Sequence, residues 1–319
     1  MTASVIVINW NGAAFLEACL QALLSQVMPE DQVIVVDNNS ADFSVELIRS
    51  RFPRVNLICN ARNLGYAGGA NAGLRAARGD VLILLNPDVV VHAGWLVALK
   101  DVCSDERVGV AGCKLLYPGG DVIQHAGGII NFPLATADHY GYRQRDEGQW
   151  DYVRDVDYVT GAALALHRDK LETVGFFDQG FYPAYYEEVD FCFRARKAGY
   201  VVRYVPHAVA THHEHAVVGE ESDLYLRCFH RNRLRFVLKH RGSRYFLDKL
   251  VPAEGVWLQL NHSPRFRCAL GSVYLELMLI CPELCLEYGE AWGDDMIGAL
   301  LEALTGLRDQ LWNHQGIRL

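Results

Sequence analysis

Residues 4–25 read SVIVINWNGAAFLEACLQALLS and carry the pattern that decides the fold. The β-branched run at residues 4–8 ends in a polar turn, and apolar side chains then recur at helical spacing from residue 13 to residue 25. This order predicts a buried strand, a loop and an amphipathic helix. A strand that is apolar throughout is typical of a parallel sheet covered on both faces, so the opening stretch indicates an α/β fold.

The same order of elements continues toward residue 90. Further strands are predicted at residues 32–36, 55–59 and 81–85, with helices at residues 44–51 and 67–78 between them. Strands separated by helices predict a mostly parallel sheet with helices on both faces. Ligands of such sheets bind beyond the carboxyl ends of the strands, so the loops after these strands are the first place to look for chemistry.

Strands and helices alternate less regularly after residue 90, and the pattern becomes mostly helical from residue 224 onward. We therefore predict two regions, an α/β domain at residues 1–240 and a helical C-terminal extension at residues 241–319. In the later part of the first region the pattern predicts strands at 109–116, 122–132, 158–166 and 201–205, helices at 168–174 and 187–197, and a polar, aromatic loop at 139–155.

The composition describes an ordinary globular protein. The 319 residues are 51% hydrophobic and 21% charged, with a formal net charge of -8. Disorder is excluded as the dominant state, and the negative balance argues against a nucleic-acid partner because phosphate backbones are held chiefly by clustered Lys and Arg. The pattern predicts neither a signal peptide nor a membrane span. Nine scattered cysteines without a C-x-x-C pair favour reduced thiols and a cytoplasmic location.

Polar side chains follow each of the first four predicted strands. Because parallel strands end at the same edge of a sheet, we expect these side chains to converge. Asn and Asp are also common helix caps and turn residues, so each position has a purely structural alternative. The residues are Asn9, Asn11, Asp37, Asn38, Asn63, Gly65, Asn86 and Asp88.

The glycine-rich run at residues 63–73 does not match the known phosphate-binding loops. It lacks the G-x-G-x-x-G spacing, follows the third strand instead of the first, and has no Gly-Lys-Ser/Thr. Hydride transfer and ATP hydrolysis are therefore disfavoured. Glycines at this position also suit a helix that packs closely on the sheet.

Two acidic segments are candidates for chemistry. Asp88 follows a buried strand and suits a hard divalent cation that takes further ligands from phosphates, although Asn-Pro-Asp is also a good turn. Glu187, Glu188 and Asp190 open a helix, where the helix dipole favours acids. Three carboxylates beside several aromatic residues exceed what capping requires, and desolvation would raise the pKa of one toward the range of a general base. Asp190 can also pair with Arg194 on the same helix.

The densest imidazole cluster is His212-His213-Glu214-His215. It contains no H-E-x-x-H, and the chain has no C-x-x-C, so a self-contained zinc site is not indicated. Two interpretations remain: one histidine acts as a single ligand beside Asp88, or the run lies on the surface.

Five segments in order resemble glycosyltransferase family 2, and within it the bacterial rhamnosyltransferase-like members. They are VIVINWN at 5–11, VDNNSAD at 36–42, RNLGY at 62–66, NPD at 86–88 and YYEEVDFCFR at 185–194. The resemblance covers about the first 240 residues, which makes residues 1–240 the catalytic domain. It implies a GT-A fold, a nucleotide-diphosphate sugar donor, Mg²⁺ or Mn²⁺, and inversion at the anomeric carbon.

The resemblance also implies roles for single residues. Asp37 and Asn38, with Asn9 and Asn11 nearby, would bind the donor's base and nucleoside, and Asn63 and Gly65 would lie against the nucleoside and first phosphate. Asp88 would bind the metal together with His212, while Asn86, which replaces the first acid of the family's D-x-D, would contact the donor. Gly161 would line the cleft. Glu188, or its neighbour Glu187, would be the catalytic base.

The implied reaction is transfer of a sugar, with rhamnose as the first choice, from a dTDP- or UDP-sugar to a hydroxyl of a glycan or lipid-linked acceptor in cell-surface polysaccharide synthesis. Two other functions stay open. A sugar nucleotidyltransferase would be expected to carry a glycine-rich loop with Arg and Lys after the first strand, which Asn9-Trp10-Asn11-Gly12 does not supply. A non-catalytic nucleotide-sugar-binding module would share the fold.

Residues 224–247 combine seven Arg and Lys residues with interleaved apolar side chains. One interpretation is a basic amphipathic helix that faces an anionic acceptor or contacts the inner face of the membrane peripherally. The other is a solvated basic face of a packed helix. The later helices are expected to serve packing or formation of a homodimer.

Overall fold

The computed structural model describes residues 1–213, 222–260, 263–288 and 294–313. These residues form two compact units. The first contains residues 1–130 and 137–213, and the second contains residues 131–136 and the described residues from 222 onward. The division predicted at residue 240 falls inside a helix of the second unit, Asp223–Tyr245.

The strands follow the predicted order over the first 90 residues. In chain order they are β1 (Ala3–Asn9), β2 (Gln32–Asp37), β3 (Asn56–Cys59), β4 (Val81–Leu85), β5 (Val89–Val91), β6 (Val108–Leu116), β7 (Ile123–His125), β8 (Gly128–Asn131), β9 (Thr136–His139), β10 (Arg154–Asp155), β11 (Ala163–His167) and β12 (Val201–His212).

Six α-helices belong to the described part of the first unit and four to that of the second. They are α1 (Ala13–Leu24), α2 (Ser44–Arg51), α3 (Gly65–Ala76), α4 (Trp95–Val102), α5 (Asp169–Val174) and α6 (Glu187–Lys197), then α7 (Asp223–Tyr245), α8 (Val251–Trp257), α9 (Pro264–Glu287) and α10 (Asp294–Asn313). A 3-10 turn at Gln179–Phe181 precedes α6, and a π-helical turn at Phe246–Leu250 follows α7.

Ten strands of the described chain form one sheet in the order β10-β12-β6-β11-β4-β1-β2-β3, with β5 paired to β12 and β7 paired to β6. β1 lies between β2 and β4 and is parallel to both. The register pairs Asn9 with Asp37, so the predicted polar ends of β1 and β2 lie side by side. The α/β fold with a mostly parallel central sheet and a helical C-terminal part is confirmed.

The sheet is buried by helices on both faces, as the apolar strands predict. Leu16 and Leu20 of α1 pack with Val5 and Val7 in one continuous core. On the other face α3 lies so close that a Cβ added at Gly73 would stand 2.2 Å from Ile6 Cγ2. Part of the glycine-rich run therefore has a packing role, because only glycine permits this approach of helix to strand.

Four elements illustrate how the structure differs from the sequence prediction. β11 begins at Ala163, because residues 158–162 hydrogen-bond to other segments instead of continuing the ladder. β12 runs through to His212, where the sequence pattern predicts a strand at 201–205 and strand-like residues at 208–211. An irregularity between Val205 and Val209 accommodates Pro206, which lacks the N–H that a regular ladder requires. β5 was not predicted because a three-residue strand is too short to show a period, and α4 was not predicted either.

The segment predicted as a polar, aromatic loop contains β10 and is held by a buried cation. Lys114 on β6 donates hydrogen bonds from Nζ to both oxygens of Asp146, at 3.1 and 2.9 Å, and pairs with Asp151. Arg154 lies over the Tyr140 ring, 3.8 Å from its centroid. The contacts of Lys114 hold the segment against β6, and the contact of Arg154 with Tyr140 joins its two ends.

The second unit packs around a buried ion pair. Arg233 of α7 forms a salt bridge with Glu254 of α8, and both side chains are fully buried. The hydroxyl of Tyr274 on α9 donates to the same carboxylate at 2.9 Å. A buried charge pair of this kind needs such additional hydrogen bonds to offset desolvation. None of the described helices combines the length and apolarity that crossing a membrane requires.

Candidate functional site

Polar groups at the carboxyl ends of β1 and β2 form one hydrogen-bonded network. Asn9 Nδ2 donates to Asp37 Oδ2 at 2.9 Å, and the Ser40 backbone N–H donates to Asp37 Oδ1 at 2.9 Å. Asn9 is fully buried and Asp37 is 2% exposed. Asn9 Oδ1 is buried without a hydrogen-bond partner within the described chain, so this network keeps one free acceptor.

Asn11 joins the same network from the β1–α1 loop. Its backbone lies in the left-handed region, with φ at 53°, which Asn tolerates better than most residues. Its Oδ1 accepts from the Ala41 N–H at 2.8 Å, and its own N–H donates to Ser40 Oγ at 2.9 Å. The two loops after β1 and β2 therefore hold each other in place.

Asn38, Asn63 and Gly65 connect this network to the start of α3. Asn38 Nδ2 donates to Gly65 O at 3.0 Å, and Asn63 Oδ1 accepts from the Gly65 N–H at 2.8 Å. Gly65 has φ at +71°, and a Cβ there would stand 2.6 Å from Pro183 O. The structure thus brings the predicted donor-binding residues after β1, β2 and β3 together at one edge of the sheet.

Asp88 and His212 meet at the end of β4, although 124 positions separate them in the sequence. The contact is made by β5, which pairs antiparallel with β12 and sets Val89 opposite His212. His212 Nε2 lies 3.3 Å from Asp88 Oδ1. Both residues are less than 10% exposed. The structure thus places His212 next to Asp88, and the interpretation that this histidine acts as a metal ligand beside Asp88 stays a prediction. Glu214 and His215 lie outside the described residues.

This pair fits a divalent cation. Asp88 Oδ1 is buried and makes no hydrogen bond within the described chain. Within that part, no group of three or more His, Cys, Asp or Glu side chains is arranged to hold a metal ion. One carboxylate and one imidazole are a suitable partial donor set for a cation that keeps waters and takes oxygen ligands from a diphosphate. Asn86 is half-buried, and its backbone N–H donates to Ala162 O at 2.9 Å.

The acidic start of α6 follows two strained residues. Tyr185 and Tyr186 have φ values of 75° and 72°, a conformation that costs free energy for bulky side chains and clusters at functional sites. Glu187 is 4% exposed, whereas Glu188 is half-buried. Each has a buried Oε2 without a hydrogen-bond partner in the described residues. The strained turn therefore presents two carboxylates, each with one buried oxygen that no described group satisfies.

Burial changes the protonation of both carboxylates. It raises the pKa of Glu188 to about 7, with backbone hydrogen bonds including one from Gly161 opposing the rise. Burial and the neighbouring Glu188 charge raise the pKa of Glu187 well above its usual range. Asp190 instead pairs with Arg194 at 2.8 Å, as predicted, and is fully buried. A carboxylate with a pKa near neutrality is suited to proton transfer at physiological pH.

Gly161 lies between the acidic pair and α3. Its carbonyl oxygen accepts a hydrogen bond from the Tyr66 hydroxyl, and a Cβ at this position would stand 3.0 Å from Tyr66 Oη. Burial, followed by the charges of Glu187 and Glu188, raises the pKa of Tyr66 well above its usual range. Tyr66 is therefore a neutral donor beside the carboxylates.

Two residues at this site were missed by sequence reasoning. Tyr66 belongs to the quoted RNLGY segment but was assigned no role, and Gln124, whose Oε1 is 2.7 Å from His212 Nδ1, was not considered. In the sequence, Gln124 and His125 follow the apolar Ile123, and this pattern is only a weak indication of a functional position. The role of Gln124 becomes visible only when the fold places the end of β12, with His212, beside it.

Comparison with known proteins supplies a family. Residues 4–172, just over half of the chain, match the model of the family described as "Glycosyl transferase family 2".

Two relatives illustrate the match. The chain is 29% identical over 259 residues to an uncharacterized protein, y4gI, of Sinorhizobium fredii, covering 77% of this chain and 28% of that protein. It is 28% identical over 261 residues to N-acetylglucosaminyl-diphospho-decaprenol L-rhamnosyltransferase of Mycobacterium tuberculosis, covering 75% of this chain and 85% of that enzyme. This chain thus spans less than a third of the first relative and most of the second.

A solved structure shares the fold. GalNAc-T7, crystallised with UDP, GalNAc and Mn²⁺, superposes with a TM-score of 0.62 at 15% identity. The match covers 91% of this chain and 58% of that one. At this identity the likeness is informative about the fold alone.

Proposed function

The chain belongs to glycosyl transferase family 2, and we propose that it transfers a sugar from a dTDP- or UDP-sugar to a hydroxyl of a glycan or lipid-linked acceptor in cell-surface polysaccharide synthesis. Rhamnose is the proposed sugar, supported by the likeness to the mycobacterial L-rhamnosyltransferase, whose name specifies a lipid-diphosphate acceptor. One observation carries the proposal. Two acidic clusters with buried carboxylate oxygens that no described residue satisfies, Asp88 beside His212 and Glu187 beside Glu188, lie in the unit where the polar loops after the strands converge.

Donor binding is assigned to the network after β1, β2 and β3. Asn9 and Asp37 are held in fixed orientation by their mutual hydrogen bond, which suits them to read the base of a nucleotide. Asn38 donates a hydrogen bond to the backbone oxygen of Gly65. Gly65 and Asn63 are proposed to lie against the nucleoside and the first phosphate. Asn11 positions the β1–α1 loop beside them. A pre-organised site of this kind loses little conformational entropy when the donor binds.

Asp88 and His212 are proposed to hold Mg²⁺ or Mn²⁺, with Asn86 beside them. When bound, the cation would stabilise negative charge on the departing diphosphate. Asp88 supplies a buried oxygen without a hydrogen-bond partner among the described residues, and His212 supplies a ring nitrogen 3.3 Å from it. Burial of both groups lowers the local dielectric and strengthens their interaction with a cation.

Glu188 is proposed as the catalytic base of an inverting single displacement. Its carboxylate takes the proton of the acceptor hydroxyl while that oxygen forms a bond to the anomeric carbon. The bond between the anomeric carbon and the diphosphate oxygen breaks on the opposite face. Glu188 is favoured over Glu187 because it is half-buried, whereas Glu187 is almost wholly enclosed and less accessible to an acceptor.

The test is release of nucleoside diphosphate from a panel of dTDP- and UDP-sugars with Mn²⁺ or Mg²⁺, with and without lipid-diphosphate or glycan acceptors. Acceptor-dependent release, with dTDP-rhamnose preferred, is expected. Exchange of pyrophosphate into the nucleotide sugar would replace this proposal with a nucleotidyltransferase. Tight binding of a nucleotide sugar without turnover of any acceptor would replace it with a binding module.

Peripheral contact with an anionic membrane through residues 224–247, and formation of a homodimer, remain proposals. Several cations of α7 are engaged inside the second unit: Arg227 pairs with Glu276, Arg233 with Glu254 and Arg235 with Glu287. Arg244 is almost fully exposed and lies 3.7 Å from Asp248. Flotation with vesicles that contain or lack anionic lipid tests the membrane contact, and light scattering tests the dimer.

A further inference from the structure

Gln124 is a buried amide that contacts the proposed metal ligand His212 and not the proposed metal position itself. It lies in β7, is 2% exposed, and places its Oε1 2.7 Å from His212 Nδ1. Such a short distance indicates a hydrogen bond. A side-chain amide oxygen only accepts, so this contact requires the hydrogen of the neutral imidazole to be on Nδ1.

The backbone of β7 is irregular at this residue. The pairing of β6 with β7 sets Leu115 opposite His125 and Leu116 opposite Ile123, so Gln124 is an extra residue opposite a single step of β6. Such β-bulges redirect a side chain and are frequent beside active sites. The bulge here directs Gln124 to the end of β12, where His212 lies.

The other side of the imidazole faces Asp88. With the hydrogen on Nδ1, His212 Nε2 presents a lone pair 3.3 Å from Asp88 Oδ1, which accepts no hydrogen bond from the described residues. In the neutral ring these two electron-rich atoms repel each other unless a metal cation or an added proton lies between them. The hydrogen bond that His212 Nδ1–H donates to Gln124 therefore leaves Nε2 without a hydrogen and available to a cation.

We propose that Gln124 is a positioning residue, which fixes the Nδ1–H tautomer and the orientation of His212 so that Nε2 is available to a divalent cation. The inference rests on the proposed metal site of Asp88 and His212. Partners of this kind behind a metal-binding histidine typically change metal affinity by about 10–100-fold when removed.

The first measurement is binding of Mn²⁺ alone to the metal-free protein, followed by electron paramagnetic resonance. Gln124→Leu removes the acceptor at similar size and is expected to weaken Mn²⁺ binding about 10–100-fold. Gln124→Glu keeps an acceptor for Nδ1–H and is expected to stay within a few-fold of the wild type. Unchanged affinity in Gln124→Leu would overturn the proposal.

A matched control is Gln32→Leu. Gln32 Oε1 also accepts hydrogen bonds, from Ser4 Oγ at 2.8 Å and from the Arg78 N–H at 3.0 Å, but at the opposite end of the sheet. It is expected to leave Mn²⁺ affinity unchanged. Thermal unfolding of each variant separates a local effect at His212 from loss of the fold.

The second measurement determines the tautomer of the His212 imidazole directly. Long-range ¹H–¹⁵N spectra of the metal-free protein at pH 8, with His212 signals assigned through His212→Ala, are expected to show the Nδ1–H tautomer in the wild type and Gln124→Glu and its loss in Gln124→Leu. An Nε2–H tautomer in the wild type would overturn the proposal. A wild type that binds no Mn²⁺ would overturn the metal site, and the tautomer comparison would then decide the role of Gln124.

Discussion

The two halves of the site differ in how fully their polar groups are satisfied. After β1 and β2, Asn9, Asp37 and Asn38 are tied into a network of internal hydrogen bonds that leaves Asn9 Oδ1 without a partner in the described residues. At Asp88 and Glu188, by contrast, buried carboxylate oxygens have no hydrogen-bond partner within the described chain.

The difference suggests that the two halves have different functions. A largely satisfied network holds a fixed shape and stabilises the fold, and the free acceptor at Asn9 Oδ1 suits recognition of a nucleotide. Unsatisfied buried carboxylates destabilise the fold and are retained where they bind charge or move protons. Substitutions in the first region should therefore affect donor binding and stability, and substitutions in the second should affect metal binding and the chemical step.

The largest effect is expected for Glu188→Gln. Removal of a general base typically costs about 10²–10⁴-fold in rate. Transfer should fall by this factor while binding of the nucleoside diphosphate, measured by calorimetry, stays within a few-fold. Glu187→Gln is the discriminating variant and Glu172→Gln, on the exposed face of α5, is the control. A larger loss in Glu187→Gln than in Glu188→Gln would move the base to Glu187.

Asp88→Asn should come next. Loss of the buried charge is expected to lower both Mn²⁺ affinity and transfer on the order of 10²-fold, because a bound cation contributes several kcal/mol of charge stabilisation. Asp80→Asn is the matched control, since Asp80 is an exposed carboxylate that accepts from the Thr2 N–H at the opposite end of the sheet. Full activity of Asp88→Asn without added metal would contradict the assignment.

Asn38→Ala should show the behaviour of the satisfied region. It leaves Gly65 O without the hydrogen bond from Asn38 Nδ2, and an unpartnered buried group costs about 1–3 kcal/mol in the free energy of unfolding. The KM for the donor should rise by about tenfold with kcat less affected, as expected for loss of binding that is uniform along the reaction. Asn56→Ala, at an exposed position of β3, is the control. A fall in kcat alone would contradict this division.

The smallest effect is expected in the pH dependence of stability. Burial raises the pKa of Glu188 from 4.5 to about 7, so between these values the folded protein binds more protons than the unfolded chain. Stability contributed by this group therefore falls as pH rises through this window. Melting temperatures at pH 5 and pH 8 should differ less in Glu188→Gln than in the wild type. The same ionisation should make transfer rise as pH increases through about 7.

Much of the fold was predictable because its signals are local. The run at β4 and the polar residues after it lie within eight consecutive positions, so both the strand and its functional end could be identified. α2 and α6 also begin and end at the predicted residues. Pro206 divides the predicted pattern of β12 into residues 201–205 and 208–211, and only pairing with β6 and β5 joins the two parts and carries the strand on to His212.

By itself, the sequence determined the alternation of strands and helices, the order of the motifs and the chemical character of each loop, because hydrophobic periodicity and turn chemistry depend on neighbouring residues. The tertiary structure alone decided that Gln124 meets His212 across 88 positions, and that Glu188 titrates near neutrality while Glu187 is enclosed. The reason is physical. Distance and desolvation depend on segments far apart in the chain, and no local pattern records them.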